Sequence, residues 1–356
     1  MNQAHLDLDP RHADACNRTG FELGWDHAHH GLVPPPGLML EGTPVAQGWC
    51  DGKAVFGRRT LAAPRHVRQW LALRTHAWKH GIAFEGTQVT AHYLAQIDAT
   101  HCPVTRRMLG GAAGTADAPV VERLNADAGY AAGNLALLCE AASTAKAGLD
   151  AREALARAGR VDAGIEPAPE GLSPAACWRL AVLQSFVTPL PFAEAAAVPM
   201  RVLPPNRVRL LNAVQGLQAL VTLQFAGSGW SQRMRELAAL MPAAVQPEFR
   251  LFVGAMAPRL LEREPTRAAL EDAWADLRVL RRWQQVVLAL GEAGVDALIE
   301  RLAEAGVAGK RTLVHAPAQA TEGWSLASRG RVVSAPKAAL PARPRRRGAD
   351  AAAARG

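Results

Sequence analysis

The chain holds 356 residues, 49% of them hydrophobic, and carries a formal charge of +8; this length fits about two domains with real cores. Its five cysteines (Cys16, Cys50, Cys102, Cys139, Cys177) are scattered and odd in number, which excludes a disulfide framework and suits the reducing cytoplasm. No apolar run approaches the ~18 residues of a membrane span, and Asn2, His5, Asp7 and Asp9 stand where a secretion signal would be basic and then apolar, so no membrane partner is expected.

Positive charge gathers in two blocks. Residues 53–107 hold nine Lys/Arg against Glu85 and Asp98, and residues 326–356 hold eight against Asp350. Patches of this kind are the usual electrostatic footprint of a DNA or RNA binder.

Taken in order, residues 1–63 read as an irregular region with short strands near 45–49 and 54–56. Gly, Pro and His are frequent there, and Pro34-Pro35-Pro36 forbids regular structure. His27 and His29 would share one face of a strand. No fourth ligand accompanies them and His30, so packing around Leu23 and Trp25 is the expectation.

A nucleic-acid-binding region is expected over 64–160. Its clearest helix spans 64–80, with Pro64 in the first turn and Gly81 at the end. Val67, Trp70, Leu71, Ala77 and Trp78 form one stripe, while Arg65, Arg68, His76 and Lys79 fall on the opposite face, where they can track a phosphate backbone. Arg74 lies within the apolar stripe and needs either a carboxylate, Glu122 being the candidate, or an escape to solvent. A second helix over about 87–98 carries Val89, Tyr93, Leu94 and Ile97 at helical spacing. Arg106 and Arg107 extend the basic surface.

Residues 101–148 are the most informative stretch. A turn-rich hairpin candidate (101–121) leads into a Gly/Asn-punctuated loop, and a helix is expected from an Asn134 cap through Lys146 to Arg160. The order is Cys102-Pro-Val-Thr105, Glu122-Arg123-Leu124, Gly129-Tyr130, Gly133-Asn134, Cys139, Ser143, Lys146. This succession resembles the HNH (His-Me finger) endonuclease superfamily, which runs C-x-x-T/C, Asp-His or Asp-Arg, G-Y…G-N, then C…N/H…K. The resemblance covers 48 of the 356 residues.

The resemblance implies a small ββα finger that hydrolyses phosphodiesters with one divalent metal, Mg2+, Mn2+ or Ni2+. In active members a His at the hairpin's end is the general base, and a neighbouring Asp and a late His or Asn hold the ion. Carried onto this chain, Glu122 takes the metal-ligand position, Arg123 the base position and Ser143 the late-ligand position. Gly129, Tyr130, Gly133 and Asn134 then fix the loop, and Lys146 and Arg123 face phosphate. An arginine keeps its proton and cannot act as a base, and a serine is a poor ligand for a hard cation. His92 and His101 are the other base candidates, both ahead of the hairpin. Arg123 can still clamp a phosphate. Losing a general base costs roughly 10²–10⁴-fold, so cleavage is expected to be weak or lost. The superfamily's structural zinc uses two Cys pairs; Thr105 and Ala142 replace the second member of each, so no structural zinc is expected.

Residues 161–172 are rich in Pro and Gly and read as a linker. Beyond it, periodic apolar runs at about 205–226, 230–241, 247–262, 266–291 and 294–305, after a helix opened by Ser173-Pro174, predict an α-helical domain over 173–312. Residues 313–356, poor in large apolar side chains, read as a basic disordered tail. The fold class expected is therefore mainly α with a small ββα finger: an α+β N-terminal half and an α-helical C-terminal domain. The function expected is nucleic-acid binding on a degenerate finger. The alternative is a non-enzymatic interaction protein whose helical domain engages a protein partner.

Overall fold

A computed structural model describes residues 10–261, 266–307 and 317–332. Over these residues the molecule is mainly helical, with one two-stranded antiparallel sheet among them. Among the described residues, no helix is long and apolar enough to cross a membrane.

The N-terminal region departs from expectation. In place of irregular chain and strands it forms two packed helices, α1 (Pro10–His29) and α2 (Pro44–Phe56). Thr43 caps α2, its Oγ1 accepting from the Ala46 amide at 3.2 Å, and Pro44 fills the first turn. The glycines that suggest breaks are what bring the helices together. A Cβ at Gly24 would lie 2.0 Å from the Val45 carbonyl oxygen, and one at Gly48 would lie 2.0 Å from that of Phe21. The three histidines have separate tasks. His27 is buried and its Nδ1 donates to the Leu23 carbonyl at 2.8 Å, His29 stacks on Phe56, and His30 bonds the Ala62 carbonyl.

Helix α3 (Arg65–His80) follows and buries Leu71, Leu73, Thr75 and Ala77. Leu71 packs with Leu23 and Val45, whereas Leu73 and Ala77 join Tyr93, Leu94, Val121 and Leu137. Arg74 does not reach Glu122; its guanidinium pairs with Asp26 of α1 and lies over the Trp70 ring, 4.5 Å from its centroid. Helix α4 (Ala91–Gln96) is capped by Thr90 and leads to the knuckle at Cys102.

The ββα finger consists of β1 (Pro119–Arg123), β2 (Leu135–Cys139) and α5 (Glu140–Lys146), with Val121 paired to Leu137 and Glu122 to Ala136. The long helix expected from Asn134 is therefore replaced by a fully buried strand, then α5, a turn at Gly148, and α6 (Ala151–Asp162), which opens on an Asp150/Glu153 capping box.

The C-terminal helices are α7 (Pro174–Phe186), α8 (Phe192–Ala197), α9 (Ala213–Gln224), α10 (Trp230–Ala239), α11 (Gln246–Leu261), α12 (Arg267–Asp272), α13 (Leu277–Leu290), α14 (Glu292–Glu304) and α15 (Pro317–Ala320). The run expected over 266–291 breaks at Asp276, which caps α13. Trp274 and Trp283 meet edge to face, 5.8 Å apart, in the core with Phe252.

Two boundaries dissolve in three dimensions. One continuous core runs from Cys102, Leu124, Leu138 and Ala142 of the finger through Leu180, Phe186 and Leu217 to Trp283 and Trp324. The stretch 161–172 is a braced turn between α6 and α7: Val161 and Leu172 are buried, and Glu166 accepts from Arg157 and Arg160. The helical part is thus not a separate body behind a free linker. Nor is the tail free where it is described. Residues 324–332 clasp the finger, with Trp324 fully buried and its Nε1 donating to the Ala132 carbonyl at 3.0 Å. The basic run 343–347 lies outside the described residues.

Candidate functional site

The finger's loop is set by one side chain. Asn134 is fully buried; its Oδ1 accepts from the Asn125 amide (2.8 Å), and its Nδ2 donates to the carbonyls of Asn125 (3.0 Å) and Gly129 (3.1 Å). It closes the loop rather than capping a helix. Gly129 is required where the loop meets α3's exit, since a Cβ there would sit 2.5 Å from the Ala83 carbonyl oxygen. Tyr130 continues the contact, its amide donating to Ala83 and its carbonyl accepting from Glu85. The Gly133 amide donates to the Tyr93 hydroxyl at 2.9 Å. The clasp completes the frame: the Trp324 carbonyl accepts from Gly129, the Gly330 carbonyl from Ala83, and the Val332 amide donates to Gly81.

Sheet alternation sends Val121 inward and Glu122 to the face covered by α5. There the Ser143 Oγ donates to Glu122 Oε2 at 2.6 Å, and the Lys146 ammonium sits 3.2 Å from Oε1. Lys146 is only 3% exposed. It is therefore an interior cation serving Glu122, not the surface phosphate contact expected from sequence. Both carboxylate oxygens are taken, and Ser143 spends its proton on one of them.

These residues do not fit a divalent ion. The place between Glu122 and α5 holds a fixed positive charge, and a second cation there would be repelled at close range in a partly desolvated site. Among the described residues no group of three His, Cys, Asp or Glu side chains stands together to hold a metal. The knuckle makes the same point for zinc: the Cys139 amide donates to Cys102 Sγ (3.4 Å), and Thr105 Oγ1 lies 3.5 Å from Cys139 Sγ. A hydrogen bond from the Cys139 thiol pulls the Cys102 thiol below its ordinary range and holds the proton on Cys139. Two sulfurs and a hydroxyl close this knuckle by hydrogen bonding.

Arg123 is also committed in part. Its Nη1 donates to the carbonyls of Ala126 (3.1 Å) and Ala128 (2.7 Å), and its guanidinium lies 5.3 Å from the Tyr130 ring centroid. The same guanidinium also hydrogen-bonds the Tyr130 side chain.

The other expected contacts divide. Arg106, in a left-handed backbone conformation, turns inward to Glu271 and Asp272 of α12 at 3.0 and 2.8 Å. Arg107 pairs with Asp117, and Arg65 with Asp98. Arg68 and Lys79 stay on the exposed face of α3. His101 bonds Thr100 and His92 bonds Gln96, each on its own exposed segment.

The imidazole that the fold does bring to the finger is His76. Its ring meets the Tyr130 ring edge-on at 6.3 Å, and His80, one turn later, lies 4.4 Å away. His76 is held below the ordinary imidazole range first by partial enclosure, then by the charges of His80, Arg123 and Lys79, with Glu122 acting in the opposite sense. The Arg331 guanidinium of the clasp donates to the His80 carbonyl at 3.2 Å. A continuous basic strip thus runs from Arg331 across His80, Lys79 and His76 to Arg123. Sequence reasoning placed His76 on the basic face of the helix, but the apposition to Tyr130 and Arg331 depends on contacts across about 50 and 250 residues, which no local pattern encodes. No protein-family model, curated protein or solved structure matches the chain.

Proposed function

We propose that this chain binds nucleic acid through the basic strip joining α3, the finger and the clasp. On this reading the finger, which resembles an HNH endonuclease unit, is a binding scaffold that has given up cleavage. The observation that carries the reading is the Glu122–Lys146 pair beside a cationic strip. The Glu122 carboxylate is neutralised from within by Lys146, so it takes little from the strip's positive potential where phosphates would approach. The same pair occupies the place where the resembled enzymes hold their ion, and Arg123 stands where their base would be. DNA and RNA both fit such a backbone-directed surface, since phosphate contacts carry no sequence information.

The test is a salt titration of binding to labelled DNA and RNA. Changing Arg68, Lys79 and Arg331 together to Glu should abolish most affinity and flatten the salt dependence. Binding that survives this change with its salt slope intact sinks the proposal. The alternative, a protein partner at the helical part, has less behind it. Leu277 and Leu288 are exposed on α13, but Arg281 and Gln284 lie between them on the same face and interrupt the stripe.

A further inference from the structure

We propose that His76, His80, Lys79, Arg123 and Arg331 together form a discrete phosphate site at the junction of α3, the finger and the clasp. The inference rests on the nucleic-acid reading for its biological ligand, but the site is defined by its own chemistry. The imidazoles at positions 76 and 80 lie one helical turn apart with ring centroids 4.4 Å from one another. From α3, Lys79 adds an exposed ammonium; from the finger, the Arg123 guanidinium brings its charge against the Tyr130 ring that His76 meets edge-on. From the clasp, Arg331 is anchored at the His80 carbonyl and exposed beyond it. The groups that bear on His76 from these elements are cationic or titratable to cations, with Glu122 as the counterweight and Tyr130 as a neutral wall. Glu122 is already bound by Lys146 and Ser143.

Such a cluster suits an anion. Tetrahedral phosphate, with several acceptor oxygens, can take donors from imidazolium, guanidinium and ammonium at once. Protonation of His76 is opposed by partial enclosure and the neighbouring cations, which disfavour the charged form. A bound phosphate reverses that balance, so binding takes up a proton. Affinity must then rise as pH falls through the imidazole range, up to about tenfold per pH unit for each proton taken up.

The experiment measures binding of fluorescein-labelled oligothymidylate at fixed ionic strength from about pH 8 to about pH 5.5. In parallel, inorganic phosphate is titrated while the His76 and His80 imidazole signals are followed by NMR. Wild type should bind the oligonucleotide progressively more tightly on acidification. The His76→Gln/His80→Gln variant should bind with a flat pH profile over the same range, and Arg331→Gln should weaken binding without flattening it. These positions lie on the surface of α3 and the clasp, and the phosphate titration of wild type needs no variant to fold. Phosphate that moves both imidazole signals while the oligonucleotide fails to bind keeps the anion site and removes the nucleic-acid reading. Unmoved signals, or a pH profile unchanged by the double histidine variant, overturn the site itself.

Discussion

Replacing Lys146 by methionine removes the cation held against Glu122 while preserving most of the side chain's volume. Lys146 is 3% exposed and Glu122 21%, with 3.2 Å between Nζ and Oε1. Breaking a buried ion pair on one side costs about 3–5 kcal/mol because the other charge is stranded. Glu122 retains some solvent and the Ser143 hydroxyl, so the lower end, about 3 kcal/mol, is expected. Glu122→Gln should cost somewhat less, about 2 kcal/mol, since the amide oxygen can still accept from Ser143 or Lys146 while the ammonium loses its counter-charge. The double variant removes both charges, and apolar or neutral replacements of a complete buried pair are often close to neutral. Urea unfolding of the four proteins therefore forms a double-mutant cycle, with a coupling of about 4–5 kcal/mol expected from these costs. Additive single costs, or a Lys146→Met protein as stable as wild type, would refute the claim that the ammonium is a structural partner of Glu122.

Removal of the Trp324 side chain should cost about 3–5 kcal/mol as a core truncation; protease sensitivity should rise first around 317–332, and an unchanged digestion pattern would contradict the docked clasp. A Gly48→Ala change places a methyl 2.0 Å from the Phe21 carbonyl oxygen. The expected loss is about 1–3 kcal/mol from overpacking, read as a lower thermal midpoint. Burial lowers the His27 pKa below its ordinary value, so the unfolded chain takes up a proton more readily than the folded one. Stability should therefore fall as pH drops below about 6.5. Substituting His27 by methionine should reduce the difference in unfolding midpoint between about pH 7.5 and about pH 5.5, and a difference left intact would assign the acid sensitivity elsewhere.

What could be read without coordinates follows the range of the forces involved. The stripe of α3 and the series of helices beyond residue 204 are local periodic signals, and Leu71 and Ala77 are buried as their spacing implies. The short run Leu135-Ala-Leu-Leu-Cys139 is apolar at every position and buried at every position; with no alternation left, strand and helix cannot be separated by period. The N-terminal hairpin was hidden because Gly24 and Gly48 look like breaks until a second helix is laid against them. Trp324 is a single aromatic in a sparse segment, and a lone residue has no period. At the finger, the residue types at 122, 123 and 143 already argued against ordinary metal chemistry. That Lys146 itself fills the space could only come from its burial.

The most direct measurement compares binding and cleavage of labelled DNA and RNA in EDTA and in Mg2+, Mn2+ or Ni2+, at matched ionic strength. With the Lys146 ammonium as resident cation, affinity should be the same in EDTA as with metal, and the nucleic acid should remain uncut. Cleavage that requires metal and disappears in Glu122→Ala, or binding that collapses in EDTA, would contradict the account.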